Sequence, residues 1–239
     1  MSKSKGYGQF CPLAMAAEIL AERWTLLVVR EILCGSARFN EIQRGVPRMS
    51  SALLAKRLKE LEHSGIITHQ PAPGGGGSLY RPTLAGQGLL PLLVEMGNWA
   101  QRWKRSGMLD EQNLDPNLLM WDVHRRIDTS LLPRDRRFMI QFQFDGMPAN
   151  RRLYWLMFNA GDVEVCTKHP GFEVDVHVSC PLRVLSEIWL GHETLAAVLR
   201  REVMLLEGAP ADIDLFKSAL MLSVYAPAGR EPPGQPAPA

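Results

Sequence analysis

The amino-acid sequence predicts an α+β protein of two domains, and three observations carry that expectation. Leu54, Leu58 and Leu61 recur at helical spacing behind two further helix-like runs. Residues 137–144, RFMIQFQF, instead alternate strictly, with Phe138, Ile140, Phe142 and Phe144 on one face. Charge divides the same way: residues 1–107 hold 14 Lys and Arg against 7 Asp and Glu, and residues 108–239 hold 13 against 18. A basic half joined to an acidic half points to separate domains, the first meeting a polyanion. The expected divisions are 1–107, 108–228 and a Pro-rich tail, 229–239, too poor in apolar residues to fold.

In the first half, residues 12–21 and 24–33 read as helices. The second, WTLLVVREIL, is apolar nearly all round and is expected beneath the others, stopped by Gly35, with Cys34 in the core. RFNEIQRG, residues 38–45, reads as a short helix with Phe39 and Ile42 inward, broken by Pro47. After a turn of about four residues, as a helix-turn-helix requires, Ser50 or Ser51 caps the leucine-striped helix and Gly65 ends it in a left-handed turn. Away from the leucines it shows Ser51, Ala52, Ala55, Lys56 and Lys59, short in front and cationic behind. Such a face suits a major groove. From Arg38 to Lys59 there are six basic residues and one acid, Glu41.

IITHQ, PAPGGGGS and LYRPTLAG then read as strand, loop and strand, a wing behind the recognition helix. The glycine run lacks the Gly-Lys-Ser/Thr ending of a phosphate loop. The expected fold is therefore a winged helix-turn-helix on double-stranded DNA. Ser50, Ser51, Ala52, Ala55 and Lys56 would face base edges. Arg38, Arg44, Arg48, Arg57, Lys59 and Arg81 would hold phosphates, with Arg57 nearest the buried stripe. Leu89, Leu92, Met96, Trp99 and Trp103 are spaced 3, 4, 3, 4, a coiled-coil-like seam. It predicts either a homodimer through Leu92, Met96, Trp99 and Trp103 or a helix packed on its own domain.

The stretches CPLAMAAEILAERWTLLVVREIL, RFNEIQRGVPRMSSALLAKRLKELEHSGII and LYRPTLAGQGLLPLLVEMGNWAQRW, over about residues 8–105, resemble the HxlR family of bacterial winged-helix transcription regulators. The Trp-Thr-Leu-Leu helix, the Leu-x-x-x-Leu-x-x-Leu recognition helix and the Thr-x-x-Gly after the wing fall in order. Polyglycine at the wing tip, and His69 near where an Arg follows the first wing strand, depart from the pattern. The resemblance implies a dimer on a palindromic operator, its last helix pairing with the first helix of a second subunit. It also makes Cys11, just before the first helix, a redox candidate, a helix start being a place where a thiol pKa can fall.

In the second half, RLYWLMFN, VEVCTK, FEVDVHVS and EVMLLEG follow RFMIQFQF as strands. PLRVLSEIWLGHETLAAVLRRE supplies helices with Leu185, Ile188 and Trp189 as their stripe. An antiparallel-rich sheet covered on one face is expected. YWLMF is apolar on both faces, as a central strand or a strand beside a ligand would be. The order of these runs over about residues 119–228 resembles the sterol carrier protein 2 (SCP2) family. That resemblance implies a five-stranded sheet with helices around an apolar tunnel for a fatty acid, a sterol or another apolar molecule. Phe142, Trp155, Phe158, Leu185, Trp189 and Met204 are its candidate lining.

Cys166-x-x-His169 and His177-x-x-Cys180 mirror a zinc spacing. Yet His169-Pro170-Gly171 reads as the turn of a hairpin joining 163–167 to 173–179. That places the two cysteines about 20 Å apart, so no metal is expected. Neither a cofactor nor an enzyme is expected, because no catalytic constellation stands out. Charges interrupt every apolar run before ~18 residues, so the chain reads as cytoplasmic, without a membrane span, its four cysteines as thiols. The predicted function is a dimeric transcription regulator whose second domain binds an apolar effector. The alternatives are a redox regulator working through Cys11, and a lipid carrier docking on anionic membrane.

Overall fold

A computed structural model describes residues 6–73 and 77–229. The glycines of the wing tip, Gly74 to Gly76, and the tail from residue 230 lie outside the described residues. The chain separates into two compact units, Met1–Glu95 and Met96–Ala239.

The first unit contains α1 (Pro12–Leu20), α2 (Thr25–Leu33), α3 (Phe39–Gly45), α4 (Ser51–His63), β1 (Ile67–Pro71), β2 (Ser78–Pro82) and α5 (Leu84–Gln87). It ends within α6 (Leu90–Trp103). Val28, Val29 and Ile32 of α2 meet Ile42 of α3, Leu54, Leu58 and Leu61 of α4 and Ile67 of β1 in one apolar core. Cys34 is exposed, against the expectation that it is core. It caps the C-terminal end of α2, two residues and therefore about 200° round the helix from Ile32.

Glu31 of α2 is completely buried. Arg30 holds its carboxylate at 2.6 Å and also donates to the Gly45 carbonyl at 3.2 Å. A Cβ on Gly45 would lie 1.9 Å from that carboxylate, so α3 needs glycine where it crosses α2.

The wing is tied down at its base. β1 and β2 pair antiparallel from Ile67 opposite Pro82 to Pro71 opposite Ser78. The Tyr80 amide donates to the Ala37 carbonyl at 2.7 Å, and an isolated antiparallel bridge sets Arg38 opposite Leu79. Gly65 turns the chain out of α4 with φ +70°. Thr83 caps α5 and donates its hydroxyl to the Gly65 carbonyl at 2.7 Å. Gly86 then passes so close that a Cβ there would sit 2.2 Å from the Ile66 carbonyl oxygen. The Thr-x-x-Gly spacing is thus a clamp between the end of the recognition helix and the end of the wing.

The second unit adds α7 (Pro116–Arg126), β3 (Phe138–Asp145), β4 (Leu153–Asn159), β5 (Asp162–Cys166), β6 (Val176–Pro181), α8 (Leu182–Trp189), α9 (Leu195–Arg200), β7 (Leu205–Gly208) and α10 (Pro210–Ala219). The strands form one sheet in the order β5-β4-β3-β6-β7, antiparallel except for the parallel pair β3–β6. Phe138, Ile140, Phe142 and Phe144 share one face with Tyr154, Leu156 and Phe158, as their register requires. Side chains of α7, α8, α9 and α10 cover that face and complete a single apolar core.

The hairpin expected around His169-Pro170-Gly171 is not formed. β5 and β6 lie on opposite sides of the β4–β3 pair, so the segment between them is a crossover. Two strands running in the same direction cannot be joined by a tight turn. The crossover lies against the second sheet face, where the His169 ring meets Trp155 edge-on at 5.4 Å.

Candidate nucleic-acid interface

The recognition helix is built from its N-terminus. The Ser50 hydroxyl accepts the Leu53 amide at 3.3 Å, capping α4. Before it, Gln43 Nε2 donates to the carbonyls of Met49 at 2.7 Å and Val46 at 3.3 Å, holding the turn between α3 and α4. Glu41 Oε2 accepts the amides of Ala37 and Arg38 at 2.8 and 2.9 Å, fixing the start of α3. Sequence reading missed both roles. The signal for Glu41 was there, since a Glu at the third helical position is a capping acid. Gln43 carries no comparable signature.

Ser50, Ser51, Ala52, Ala55, Lys56 and Lys59 are all exposed on α4, and Arg38, Arg44, Arg48 and Arg81 are exposed on neighbouring segments. Lys56 faces Glu60 one turn on, at 3.7 Å. Arg57 is a correction to the expected phosphate contacts: it is 8% exposed. Its guanidinium pairs with Glu22 at 2.8 Å and with Glu60, and its Nε donates to the Arg23 carbonyl at 3.3 Å. It fastens α4 to the end of α1 and presents no cation to a groove. On the wing, His69 Nδ1 lies 2.6 Å from Glu62 of α4. Partial burial, reinforced by Glu62, raises the Tyr80 hydroxyl above its usual range.

The expected dimerisation residues Leu92, Met96, Trp99 and Trp103 are exposed along α6, each by 40% or more. Gln101, two residues from Trp99 and on another side of the helix, is buried. It donates to the Leu190 carbonyl at 2.6 Å. Exposed apolar side chains also line α1, including Leu13 and Met15, and Phe10 stands before it. Cys11 caps α1 with an exposed side chain that makes no capping hydrogen bond.

Of the candidate lining residues, Phe142, Phe158, Leu185 and Met204 are fully buried in the second core, with Trp189 half-buried against it. Trp155 is a correction. It pairs with Gln141, on the face opposite Phe142 and Phe158, and donates its indole N–H to Gln141 Oε1 at 3.1 Å. Cys166, Trp155, Gln141 and His177 make one row across that face. Cys166 and His177 therefore stand three strands apart, roughly 14 Å. Cys180 is on the core face opposite Phe144, and its burial, with Asp145 nearby, pushes its thiol up to about 12. The zinc geometry thus fails for a different reason from the expected one.

A helix-turn-helix, a wing braced to its recognition helix, and an outward row of small and cationic side chains define a winged helix-turn-helix DNA-binding protein. Comparison with known proteins narrows that class. Residues 19–108 match the family described as HxlR-like helix-turn-helix. The transcriptional regulator YvaP of Bacillus subtilis is 38% identical over 104 residues, covering 43% of this chain and 96% of that protein. YodB, another transcriptional regulator of Bacillus subtilis, is 34% identical over 99 residues, 41% of this chain and 88% of its own. The structure of reduced YodB matches 39% of this chain and 93% of that chain, with 34% identity and a TM-score of 0.35. With nearly the whole of YvaP aligned, the chain belongs to the HxlR-like helix-turn-helix family and is a DNA-binding transcription regulator. The family match ends at residue 108, ahead of the sheet.

Proposed function

We propose that the protein binds a palindromic operator as a homodimer and that its second unit, read as sterol carrier protein 2-like, takes an apolar effector that changes operator affinity. The observation that carries the reading is the pairing of an outward cationic α4 face with an outward apolar stripe on α6. An apolar stripe of this kind is covered by an equivalent stripe at low cost. Two copies then present two recognition helices, which meet successive major grooves when about 34 Å apart. Ser51, Ala52, Ala55 and Lys56 face base edges, while Lys59, Arg44 and Arg48 take phosphates.

Selection of bound duplexes from a random library tests the reading. Enrichment of a two-fold symmetric sequence is the expected result. Binding of every polyanion without enrichment would sink it in favour of a basic half that docks on charged surfaces.

A second reading rests on Cys11, whose side chain is exposed at the start of α1. YodB has been solved reduced, quinone-bound and diamide-treated. If Cys11 is the sensor here, diamide releases operator from the protein and Cys11→Ser abolishes that release.

A further inference from the structure

A pocket of about 610 Å³ opens in the second unit between the end of α8, the start of α9 and the segment after α10. Ile188, Leu195, Leu220 and Met221 make its walls largely apolar. Phe142, Phe158 and Met204, which belong to the sheet–helix core, are not among its lining residues. Its size falls in the range of small-molecule sites.

Arg126, at the end of α7, stands in the pocket wall. Its Nε donates to the Leu222 carbonyl at 3.2 Å, and it forms no ion pair with any described residue. The acid in the lining, Glu193, is engaged by Arg201 at 3.4 Å. An apolar cleft with one uncompensated guanidinium and a neutralised carboxylate selects a molecule with an apolar body and one negative end.

We infer that this pocket binds an alkyl carboxylate, its chain along Ile188, Leu195 and Leu220 and its head on the guanidinium of Arg126. The site sharpens the effector reading proposed above. Its route to the rest of the unit is short. Gly191 and Ala226 line the pocket, and a Cβ on Gly191 would lie 2.8 Å from that of Ala226. Next to Ala226, Tyr225 packs over Gly97 of α6, where an added Cβ would lie 2.2 Å from the ring. The Ser223 amide donates to the Trp189 carbonyl at 2.9 Å. A ligand that shifts residues 220–227 therefore presses on α6, whose outer side carries Met96, Trp99 and Trp103.

Calorimetry of the full chain without DNA tests the site, using dodecanoate and dodecyltrimethylammonium below their micelle concentrations. Dodecanoate should bind once per chain, and the cation at least tenfold more weakly. Removing two methylenes should weaken the acid roughly tenfold, from about 0.8 kcal/mol per methylene. Arg126→Gln, at an exposed position, should cost about tenfold, and Leu195→Trp should fill the pocket. Glu193→Gln should tighten binding. Melting curves of each variant separate loss of site from loss of fold. Absence of dodecanoate binding, equal binding of the cation, or affinity unchanged in both Arg126→Gln and Leu195→Trp overturns the assignment. Because binding is read without DNA, bound dodecanoate with no effect on operator affinity would count against the proposed function and leave this site standing.

Discussion

Arg57 and Lys59 stand two residues apart on α4 and do opposite things. Lys59 is exposed, whereas Arg57 is folded onto Glu22 and Glu60. Lys59→Ala should weaken operator and random DNA about equally and flatten the slope of log K against log salt by ~1, as one lost phosphate contact does. Ser51→Ala should instead change sequence preference. Equal effects of the two changes on every duplex would refute the assigned face. Arg57→Ala should lower unfolding free energy by about 1–2 kcal/mol in urea titrations, because a buried guanidinium and its packing are lost. Its burial was legible. Residue 57 follows Leu54 by three and precedes Leu61 by four, so it belongs to the leucine stripe. Trp155 was legible in the same way, since it and Phe158 differ by an odd number and a regular strand sends them to opposite faces. The clamps made by Gly45 and Gly86 were not, because each depends on an element distant in sequence.

α6 and the β5–β6 crossover show what element-scale reading reaches. The 3, 4, 3, 4 spacing identified an apolar stripe, of which Leu92, Met96, Trp99 and Trp103 on α6 are exposed while Leu89, just before the helix, packs against the first core. Trp99→Asp with Trp103→Asp should leave monomers in sedimentation, since two carboxylates in an apolar seam cost several kcal/mol. A persisting dimer would place the interface elsewhere. The inner side of α6 went unseen, although Gln101 there reaches the Leu190 carbonyl and, at 3.2 Å, His192 Nε2. Burial, with Arg105 adding to it, pushes His192 from its usual 6.5 down to about 4. The unfolded chain therefore binds the proton more readily than the folded one between those values. Stability should be complete above about pH 6.5 and fall as pH drops towards 4. Urea midpoints across that window should decline less in His192→Gln; parallel declines would show that other groups dominate. The crossover was misread because Pro-Gly marks a turn without saying what it joins. Strand order is a property of the whole sheet.

At the scale of the molecule, charge asymmetry and the switch from helical to alternating periodicity put the expected division after residue 107, whereas the compact units divide after Glu95, within α6. The order of strands, and the pocket that residues 220–227 complete, depend on how distant segments meet. If the effector reading holds, operator DNA must shift dodecanoate affinity by the same factor that dodecanoate shifts operator affinity. Calorimetry with and without operator checks this, and equal affinities would remove the second unit from signalling. The parallel pairing of β3 with β6 has a further consequence, for the order in which the chain is made. β3, β4 and β5 leave the ribosome as a consecutive meander, but the other edge of β3 waits for Val176 to Pro181. Until then an apolar strand, Phe138 to Phe144, shows unpaired backbone to its neighbours. Chains stalled before residue 176 should aggregate in a pulse-labelled translation, and chains extended past residue 208 should not. The newborn second unit thus passes through a sticky interval that its finished form conceals.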